Sequence, residues 1–419
     1  MPHGLMASKN SPYRIVEGGV AAPEGFVCSA VACGIKHAAK LRLDLGLLFS
    51  KGPAVTAAAF TSNKVKAAPV RLCQAHLRSN DIRAVIMNSG NANACTGPRG
   101  IRDARTMAEL TADGLGLNPN QVLVGSTGII GQPMPMDCLT AKIPELIKGL
   151  GRGNNDAVSR CIMTSDTKPK TISIAVPLGS RTIRIGAIAK GAGMISPSMG
   201  TMLCFITTDA CVGVTELRRC VSKCVQATFN RITIDGDTST NDTVVVMANG
   251  MAGNRRIKAG GPQCHAFRAA MEWVMLTMAK AIVGDGERVT KFVEVEVKGA
   301  ATLMDARRVA ETVANSLLVK CSWNGGDANW GRIMHAIGYS RARIREDMID
   351  IFFEGHLATR NGIDAGTPVE LLRKAVAKRE FTVTIDLNIG SAGYNVYTSD
   401  LSQEYVVFNR SEYAAPVKA

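Results

Sequence analysis

Aromatic residues are scarce in this chain: tryptophan, tyrosine and phenylalanine together make up 5% of its 419 residues. A buried core must therefore consist mainly of aliphatic side chains, and 41 glycines indicate many turns or close backbone approaches. No stretch of 18 consecutive apolar residues occurs, so the sequence predicts no membrane-spanning helix. Charged residues amount to 20% against 46% hydrophobic residues, which excludes intrinsic disorder as the main state.

Long runs of like charge are also absent, although the formal net charge is +14 and the isoelectric point is about 9.3. The lysines and arginines are scattered, and no zinc-finger or RNA-recognition signature is present. This distribution favours a basic surface that attracts anionic metabolites over one that binds nucleic acid.

The Cys-x-x-Cys pattern is missing, although the chain has 12 cysteines. The nearest spacing, Cys220 and Cys224, is one helical turn, and most cysteines lie in apolar stretches where a reduced thiol acts as a small hydrophobic group. With six dispersed histidines, we expect a reducing compartment and no metal site. The first 25 residues contain neither an apolar segment nor an arginine-rich leader, so we expect a cytoplasmic protein without membrane contact.

Strand-like and helix-like segments alternate along the chain, whose length suggests two or three domains at about 150 residues each. This mixture predicts a layered α/β (α+β) body. Asp103 is expected to cap the first predicted helix, and the polar segments 284–290 and 320–332 are predicted to be loops and candidate site regions. Predicted strands are 83–88, 121–124, 171–176, 181–185, 202–208, 243–247, 292–297 and 381–387; predicted helices are 103–115, 137–149, 214–228, 266–283 and 303–319.

The most informative segment is 189–209, where a glycine-rich loop runs through Gly200-Thr201 into an apolar strand. A threonine at the start of a buried strand has a rigidly held hydroxyl, and the preceding glycine leaves its carbonyl open to attack. Such a pair allows an N-to-O acyl shift whose ester is then hydrolysed, freeing an α-amine with an ordinary pKa of about 7.7–8.0. That amine can act as the base for its own hydroxyl. Spacing alone, however, favours an ordinary turn before a core strand.

Several motifs, in their order along the chain, resemble the ornithine acetyltransferase (glutamate N-acetyltransferase) family. The resemblance covers all but about the first 20 residues, and the combination of motifs is far more specific than any single one. The motifs are Phe60–Val70, Asn88–Gly97, Gly125–Gly131, Ile162–Thr167, Lys190–Asp209, Asp235–Asp242, Gly284–Glu287 and Cys321–Arg332.

This resemblance implies an autoprocessing architecture of the N-terminal-nucleophile type. Cleavage between Gly200 and Thr201 would give an α chain of residues 1–200 and a β chain of residues 201–419, which remain associated, as a heterotetramer of two α and two β chains. It also implies acetyl transfer from N-acetylornithine to glutamate through an acetyl-threonine, releasing ornithine and N-acetylglutamate in arginine biosynthesis. No cofactor is implied; acetyl-CoA is an alternative acetyl donor in some members.

The resemblance assigns roles to individual residues. Thr201 is the nucleophile, and the Thr127 hydroxyl with the Gly128 amide resembles the family's oxyanion hole. Lys190 and Glu287 supply opposite charges for an amino-acid substrate.

Two further substrate contacts are implied. Thr167 resembles a substrate-contacting threonine, with Thr164 as a close rival, and Asn409 matches a substrate-binding asparagine near the C-terminus. The acidic residues Asp235, Asp237 and Asp242 are interpreted as members of a hydrogen-bonded turn and not as a cation site.

The sequence also departs from the family pattern. Gly200 replaces the usual alanine before the nucleophile, Ser196-Pro-Ser198 replaces His-Pro-Asn, and Arg288 replaces the glycine after Glu287. The family's C-terminal hydroxyl is replaced by Ala415, and losing a hydrogen bond to an ionised group costs roughly 1.5–3 kcal/mol. These changes put substrate choice in question. The alternative reading is an autoprocessing amidase or aminopeptidase in which water replaces glutamate as the acceptor.

Overall fold

Three β-sheets and the helices that cover them form the protein in the computed structural model, which describes residues 11–36, 42–79, 81–196 and 202–412. The strands are β1 Arg14–Ile15, β2 Phe26–Val31, β3 Leu45–Ser50, β4 Val55–Phe60, β5 Ala84–Asn91, β6 Val122–Ile129, β7 Lys170–Leu178, β8 Arg181–Lys190, β9 Leu203–Thr208, β10 Thr243–Ala248, β11 Phe292–Ala300, β12 Asp350–Phe353, β13 His356–Arg360, β14 Ile363–Asp364, β15 Glu380–Asp386 and β16 Ala392–Ser399. The helices are α1 Ala68–His76, α2 Gly97–Leu115, α3 Met136–Lys148, α4 Asn155–Cys161, α5 Val214–Ala227, α6 Pro262–Val283, α7 Leu303–Asn315, α8 Leu317–Asn324, α9 Trp330–Gly338, α10 Val369–Ala377 and α11 Gln403–Glu412. The predicted layered α/β class is confirmed.

The backbone contacts divide the chain into two compact units. The first contains the described residues of Met1–Gly191, Ser198–Asn230 and Thr238–Ile282, and the second those of Ala192–Pro197, Arg231–Asp237 and Val283–Ala419. Each unit therefore draws segments from both sides of position 200, so the units do not coincide with the two chains that cleavage would produce.

Two sheets face each other in the first unit. The six-stranded sheet has the order β1-β7-β8-β9-β10-β4, and the four-stranded sheet has the order β2-β3-β5-β6. Aliphatic side chains from both, such as Met87 and Leu123 on one and Leu203 and Val245 on the other, share one core. Helices α2 and α3 cover the outer face of the four-stranded sheet through a second core. The predicted aliphatic core is thus realised as layers.

Strand β9 is internal in the six-stranded sheet. It pairs antiparallel with β8, where Leu203 lies opposite Lys190, and parallel with β10, where Leu203 lies opposite Thr243. Both edges of β9 are therefore hydrogen-bonded, one to the preceding strand β8 and the other to β10, which lies further along the chain.

The second unit consists of a sheet with the order β14-β13-β12-β15-β11-β16, packed against helices α7 to α10. Its period-2 strands bury one face: in β15 the residues alternate between buried and half-buried positions. Trp323 on α8 is fully buried in this core and packs edge-on against Phe381.

Two predictions about helices were wrong. The first predicted helix corresponds to α2, which begins at Gly97 with a proline in its first turn, so Asp103 lies inside it and does not cap it. The segment 320–332, predicted to be a loop, is mostly helical because α8 continues to Asn324 and α9 begins at Trp330. Within this segment Asn329 caps α9 by accepting the Arg332 amide. Upstream of it, Ser316 caps α8 by accepting the Val319 amide and so separates α8 from α7 in the predicted helix 303–319.

Among the described residues, every helix is either too short or insufficiently apolar to cross a membrane.

Candidate active site

The parallel strands β5 and β6 end side by side at Gly90 and Gly128, and Thr127 lies opposite Ser89. Thr127 is buried, and Gly128 has a φ of 133°, a value that L-residues rarely adopt. A Cβ atom at Gly128 would lie 2.3 Å from the carbonyl carbon of Gly90. Only glycine fits here, so the sequence holds the Thr127 hydroxyl and the Gly128 backbone together at this end of the sheet.

Lys190, the last residue of β8, reaches the same place. It is buried, and its Nζ atom lies 3.4 Å from Oγ1 of Thr127. The structure therefore brings together three of the residues named from the sequence: two predicted oxyanion donors and one predicted substrate-binding cation.

Sequence reasoning missed Asp166, which lies between the two candidate threonines. Its buried carboxylate accepts hydrogen bonds from Lys170 Nζ at 2.6 Å and from the Gly191 amide at 2.8 Å, and Lys190 Nζ lies 4.0 Å from its Oδ2. Burial opposes ionisation, but the two lysines and the amide together hold the pKa of Asp166 well below its usual range. A carboxylate four residues before a lysine was the available signal, and an ordinary surface pair has the same spacing.

The two threonines of this segment differ in their surroundings. The Thr164 amide donates to Oδ2 of Asp166 at 3.0 Å, and Thr164 is half-buried, whereas Thr167 is exposed. The choice of Thr167 over Thr164 as substrate contact stays a prediction.

Gly200 and Thr201 lie outside the described residues, as do Ser198 and Ala415. The first described residue after them, Met202, is held on both sides: its amide donates to Oδ1 of Asp242 at 2.9 Å, and its carbonyl accepts the Thr243 amide at 3.0 Å. Asp242 is fully buried, and burial raises the pKa of its carboxyl well above the usual value. A buried carboxyl therefore fixes the start of β9 directly after position 201.

In the second unit, the structure brings Glu287 and Asn409 together. Nδ2 of Asn409, on α11, donates to Oε2 of Glu287 at 3.0 Å and to the Tyr405 carbonyl at 3.0 Å. The Glu287 amide donates to Ala192 O at 2.8 Å, and a Cβ at Gly193 would lie 2.6 Å from Glu287 Cδ. Glycine at position 193 thus allows the carboxylate to lie against the backbone of the loop before the predicted cleavage site.

Asp235 organises the same loop. Its carboxylate accepts the amides of Met194 at 2.6 Å, Ile195 at 2.8 Å and Asp237 at 3.2 Å, and the Tyr405 hydroxyl lies 3.3 Å away. Burial raises the pKa of Asp235. The predicted hydrogen-bonded turn is confirmed for Asp235 and Asp237 but not for Asp242, whose carboxyl accepts the Met202 amide instead. Among the described residues, no group of three or more histidine, cysteine, aspartate or glutamate side chains is arranged to hold a metal ion.

Arg288 takes the place of the family's glycine with a φ of 57°, in the left-handed region that favours glycine. Its guanidinium carbon lies 4.8 Å from the ring centroid of Phe408 on α11, a cation–π contact. The arginine therefore adopts a backbone conformation that a glycine would take without strain, and its side chain packs on the helix that carries Asn409.

A rigid hydroxyl and a glycine backbone beside a buried ammonium, in a layered α/β fold, are typical of an enzyme that stabilises a developing negative charge. The sequence matches the ArgJ family over residues 27–415. It is 49% identical to the arginine biosynthesis bifunctional protein ArgJ of Geobacter sulfurreducens, over 92% of this chain and 98% of that protein. It is 41% identical to the glutamate N-acetyltransferase of Methanocaldococcus jannaschii, over 94% of this chain and 98% of that protein. The chain belongs to the ArgJ family.

Solved structures are also similar. The arginine biosynthesis bifunctional protein of Bacillus halodurans is 38% identical, covering 49% of this chain and 96% of its own, with a TM-score of 0.47. The ornithine acetyltransferase of Mycobacterium tuberculosis, solved in complex with ornithine, is 40% identical, covering 45% of this chain and 99% of its own, with a TM-score of 0.41.

Proposed function

We propose that this protein is a bifunctional acetyltransferase of arginine biosynthesis that moves the acetyl group of N-acetylornithine to glutamate. The observation that carries this conclusion is the ArgJ family match over residues 27–415, with curated relatives at 41–49% identity that are aligned over 98% of their own length. The cluster of Thr127, Gly128 and Lys190 supports it, because acyl transfer passes through a tetrahedral oxyanion that needs such donors.

The proposal includes self-cleavage between Gly200 and Thr201. The Thr201 hydroxyl attacks the Gly200 carbonyl carbon, the C–N bond breaks as the ester forms, and the hydroxyl proton ends on the released amine. Water then hydrolyses the ester, leaving a carboxylate on residues 1–200 and a free α-amine on residues 201–419. The placement of β9 between β8 and β10 supports lasting association of the chains, since strand pairing crosses the cut.

Acetyl transfer then proceeds in two halves. The α-amine of Thr201 takes the proton of its own hydroxyl, which attacks the acetyl carbonyl of N-acetylornithine, and the Thr127 hydroxyl and Gly128 amide stabilise the oxyanion. The amide C–N bond breaks, and the amine gives the proton to the departing amino group of ornithine. The amino group of glutamate then attacks the acetyl-threonine, the ester C–O bond breaks, and the proton lost by glutamate passes through the α-amine back to the Thr201 hydroxyl.

Substrate binding is assigned by charge. Lys190 suits the carboxylate that both amino acids share, while Glu287, held by Asn409, suits an amino group. Thr167, with Thr164 as its rival, is the further contact. A heterotetramer of two copies of each chain is part of the same proposal.

The decisive experiment supplies purified protein with N-acetylornithine and isotopically labelled glutamate and follows the products by mass spectrometry. Labelled N-acetylglutamate and ornithine in equal amounts support the transfer. Free acetate without N-acetylglutamate would instead identify an amidase. A parallel reaction with acetyl-CoA as the only donor tests the second acetyl source.

A further inference from the structure

The two predicted substrate-binding residues of the second unit, Glu287 and Asn409, lie on segments that leave one sheet at the same end. Glu287 precedes β11, and Asn409 lies on α11, which follows β16. Strands β11 and β16 pair antiparallel, so the start of one lies beside the end of the other, with Phe292 opposite Ser399. Beyond the sheet, side chains and not strand pairing must hold the two segments together.

Asp400, the first residue after β16, joins the two segments. Its side chain is buried, and Oδ1 accepts the backbone amides of Thr290 and Lys291, each at 2.9 Å. Oδ2 accepts the Thr290 hydroxyl at 2.5 Å and Nδ2 of Asn324, at the end of α8, at 2.7 Å. The carboxylate of Asp400 thus binds the segment that runs from Glu287 into β11.

Ser402 makes a second connection just before α11. Its hydroxyl donates to the carbonyl of Arg288 at 2.7 Å and accepts the Tyr405 amide at 3.2 Å. It therefore caps the helix and at the same time bonds to the residue after Glu287. Further along the helix, Nδ2 of Asn409 donates to Oε2 of Glu287 at 3.0 Å. Both the first turn of α11 and Asn409 are connected to the segment that carries Glu287.

We propose that Asp400 and Ser402 are positioning residues that hold the Glu287 carboxylate where it receives the side-chain ammonium of N-acetylornithine. This inference rests on the proposed function, in which Glu287 takes an amino group. The α-nitrogen of N-acetylornithine carries the acetyl group, so the side-chain ammonium is the free cation of this substrate. Glutamate has no ammonium at the corresponding end of its side chain. Changes at Asp400 and Ser402 therefore affect the two substrates unequally.

The surroundings of Glu287 suit this role. Its side chain is half-buried, and Asn409 donates to one of its two carboxylate oxygens. A carboxylate has about four lone-pair sites, so it accepts this bond together with those of an ammonium. Contacts that position a substrate are sensitive to distance, and a displacement of about 1 Å can lower a rate about 100-fold. Loosening the segment thus weakens ammonium binding without removing any group that touches the substrate.

The test measures KM for N-acetylornithine and for glutamate in Asp400→Asn and Ser402→Ala. The asparagine has the shape of aspartate, but its Nδ2 atom cannot accept the two donors that meet Oδ2. The alanine loses the bonds to Arg288 and Tyr405. Each variant should raise KM for N-acetylornithine about tenfold and KM for glutamate less than about threefold. Glu404→Gln, which removes an exposed carboxylate from the same helix, is the control and should keep both values.

A double-mutant cycle with Glu287→Gln shows whether the effect passes through Glu287. Asp400→Asn should raise KM for N-acetylornithine in the parent and leave it nearly unchanged in the Glu287→Gln background. A purely structural role for Asp400 would instead raise KM for both substrates and add to the effect of Glu287→Gln. Thermal unfolding checks that each variant is folded, and Ser402→Ala, which keeps the buried carboxylate, carries the same cycle if Asp400→Asn does not fold.

The outcomes separate this inference from the proposed function. A parent protein that forms no N-acetylglutamate refutes the proposed function. An active parent in which Glu287→Gln raises KM for N-acetylornithine, but Asp400→Asn and Ser402→Ala do not, refutes the positioning role. Equal increases in the two KM values, in Glu287→Gln or in the positioning variants, would also overturn it, because the side-chain ammonium would then not be the group that is held.

Discussion

The Thr127 hydroxyl oxygen lies 3.4 Å from the Lys190 ammonium nitrogen, although 63 residues separate the two in sequence. An ammonium at this distance polarises the hydroxyl and increases its capacity to donate to a developing oxyanion. The family pattern assigns these residues to different tasks, charge stabilisation and substrate binding. The structure places these two predicted site residues at one buried point.

Replacing Thr127 with valine removes the hydroxyl and keeps the side-chain shape. We expect kcat for acetyl transfer to fall about 100- to 1,000-fold with little change in KM, the typical effect of losing one oxyanion donor. Steady-state assays of N-acetylglutamate formation measure this. Thr127→Ser, which keeps a hydroxyl, is the control and should retain most activity. A Thr127→Val enzyme that keeps the parent kcat would remove Thr127 from the oxyanion hole.

Replacing Thr201 with alanine removes the proposed nucleophile of both cleavage and transfer. Denaturing intact-mass analysis should show two chains for the parent, whose masses sum to the precursor plus one water, and a single chain for Thr201→Ala. Thr201→Ser should be cleaved, since a serine hydroxyl supports the same acyl shift. A single-chain parent with full acetyltransferase activity would contradict the processing step.

Replacing Asp242 with asparagine tests the raised pKa of this carboxyl, because the amide mimics the protonated acid and still accepts the Met202 amide. Above the ordinary pKa of about 3.9, the unfolded chain has lost the proton that the folded protein still holds, so this residue makes the parent less stable as pH rises. The loss continues up to the folded-state pKa, at no more than about 1.4 kcal/mol per pH unit. The asparagine variant lacks this slope.

Thermal unfolding of both proteins at pH 5 and pH 7 measures the difference. The melting temperature of Asp242→Asn relative to the parent should be higher at pH 7 than at pH 5. An unchanged difference would show that Asp242 has the same protonation state in the folded and unfolded protein.

Replacing Arg288 with glycine relieves a backbone conformation that costs an L-residue about 1–2 kcal/mol, and gives up a cation–π contact of about 0.5–1 kcal/mol. Arg288→Ala loses the contact and keeps the strain. Glycine should therefore give a protein about 1 kcal/mol more stable than alanine, as measured by denaturant unfolding of both variants. Equal stability of the two would show that the left-handed conformation at this position carries no cost.

The sequence predicted strands β7 to β10 of the first unit's six-stranded sheet, because runs such as 243–247 combine β-branched residues with turn signals on both sides; it did not predict β1 and β4. It failed at 320–332, where Asn329 caps α9 and was interpreted as a loop residue. Helix capping and loops use the same side chains, and only backbone geometry separates them.

For the site, family resemblance named Thr127, Lys190, Glu287 and Asn409, and the structure places them in two groups that sequence order does not reveal. Asp166 was missed because its importance comes from burial beside two lysines, and nothing in its sequence neighbourhood distinguishes a buried carboxylate from a surface one. Long-range charge clusters of this kind depend on topology.

Strand β9 is hydrogen-bonded along both edges, to β8 on one side and to β10 on the other. Cleavage just upstream of such a strand would turn one peptide bond into a carboxylate and an amine, while the strand pairing on both sides of β9 would remain. If residues 1–200 were produced alone, their part of the six-stranded sheet would lack β9 and β10, the strands that lie between β8 and β4. The two chains are therefore not expected to be soluble when produced separately.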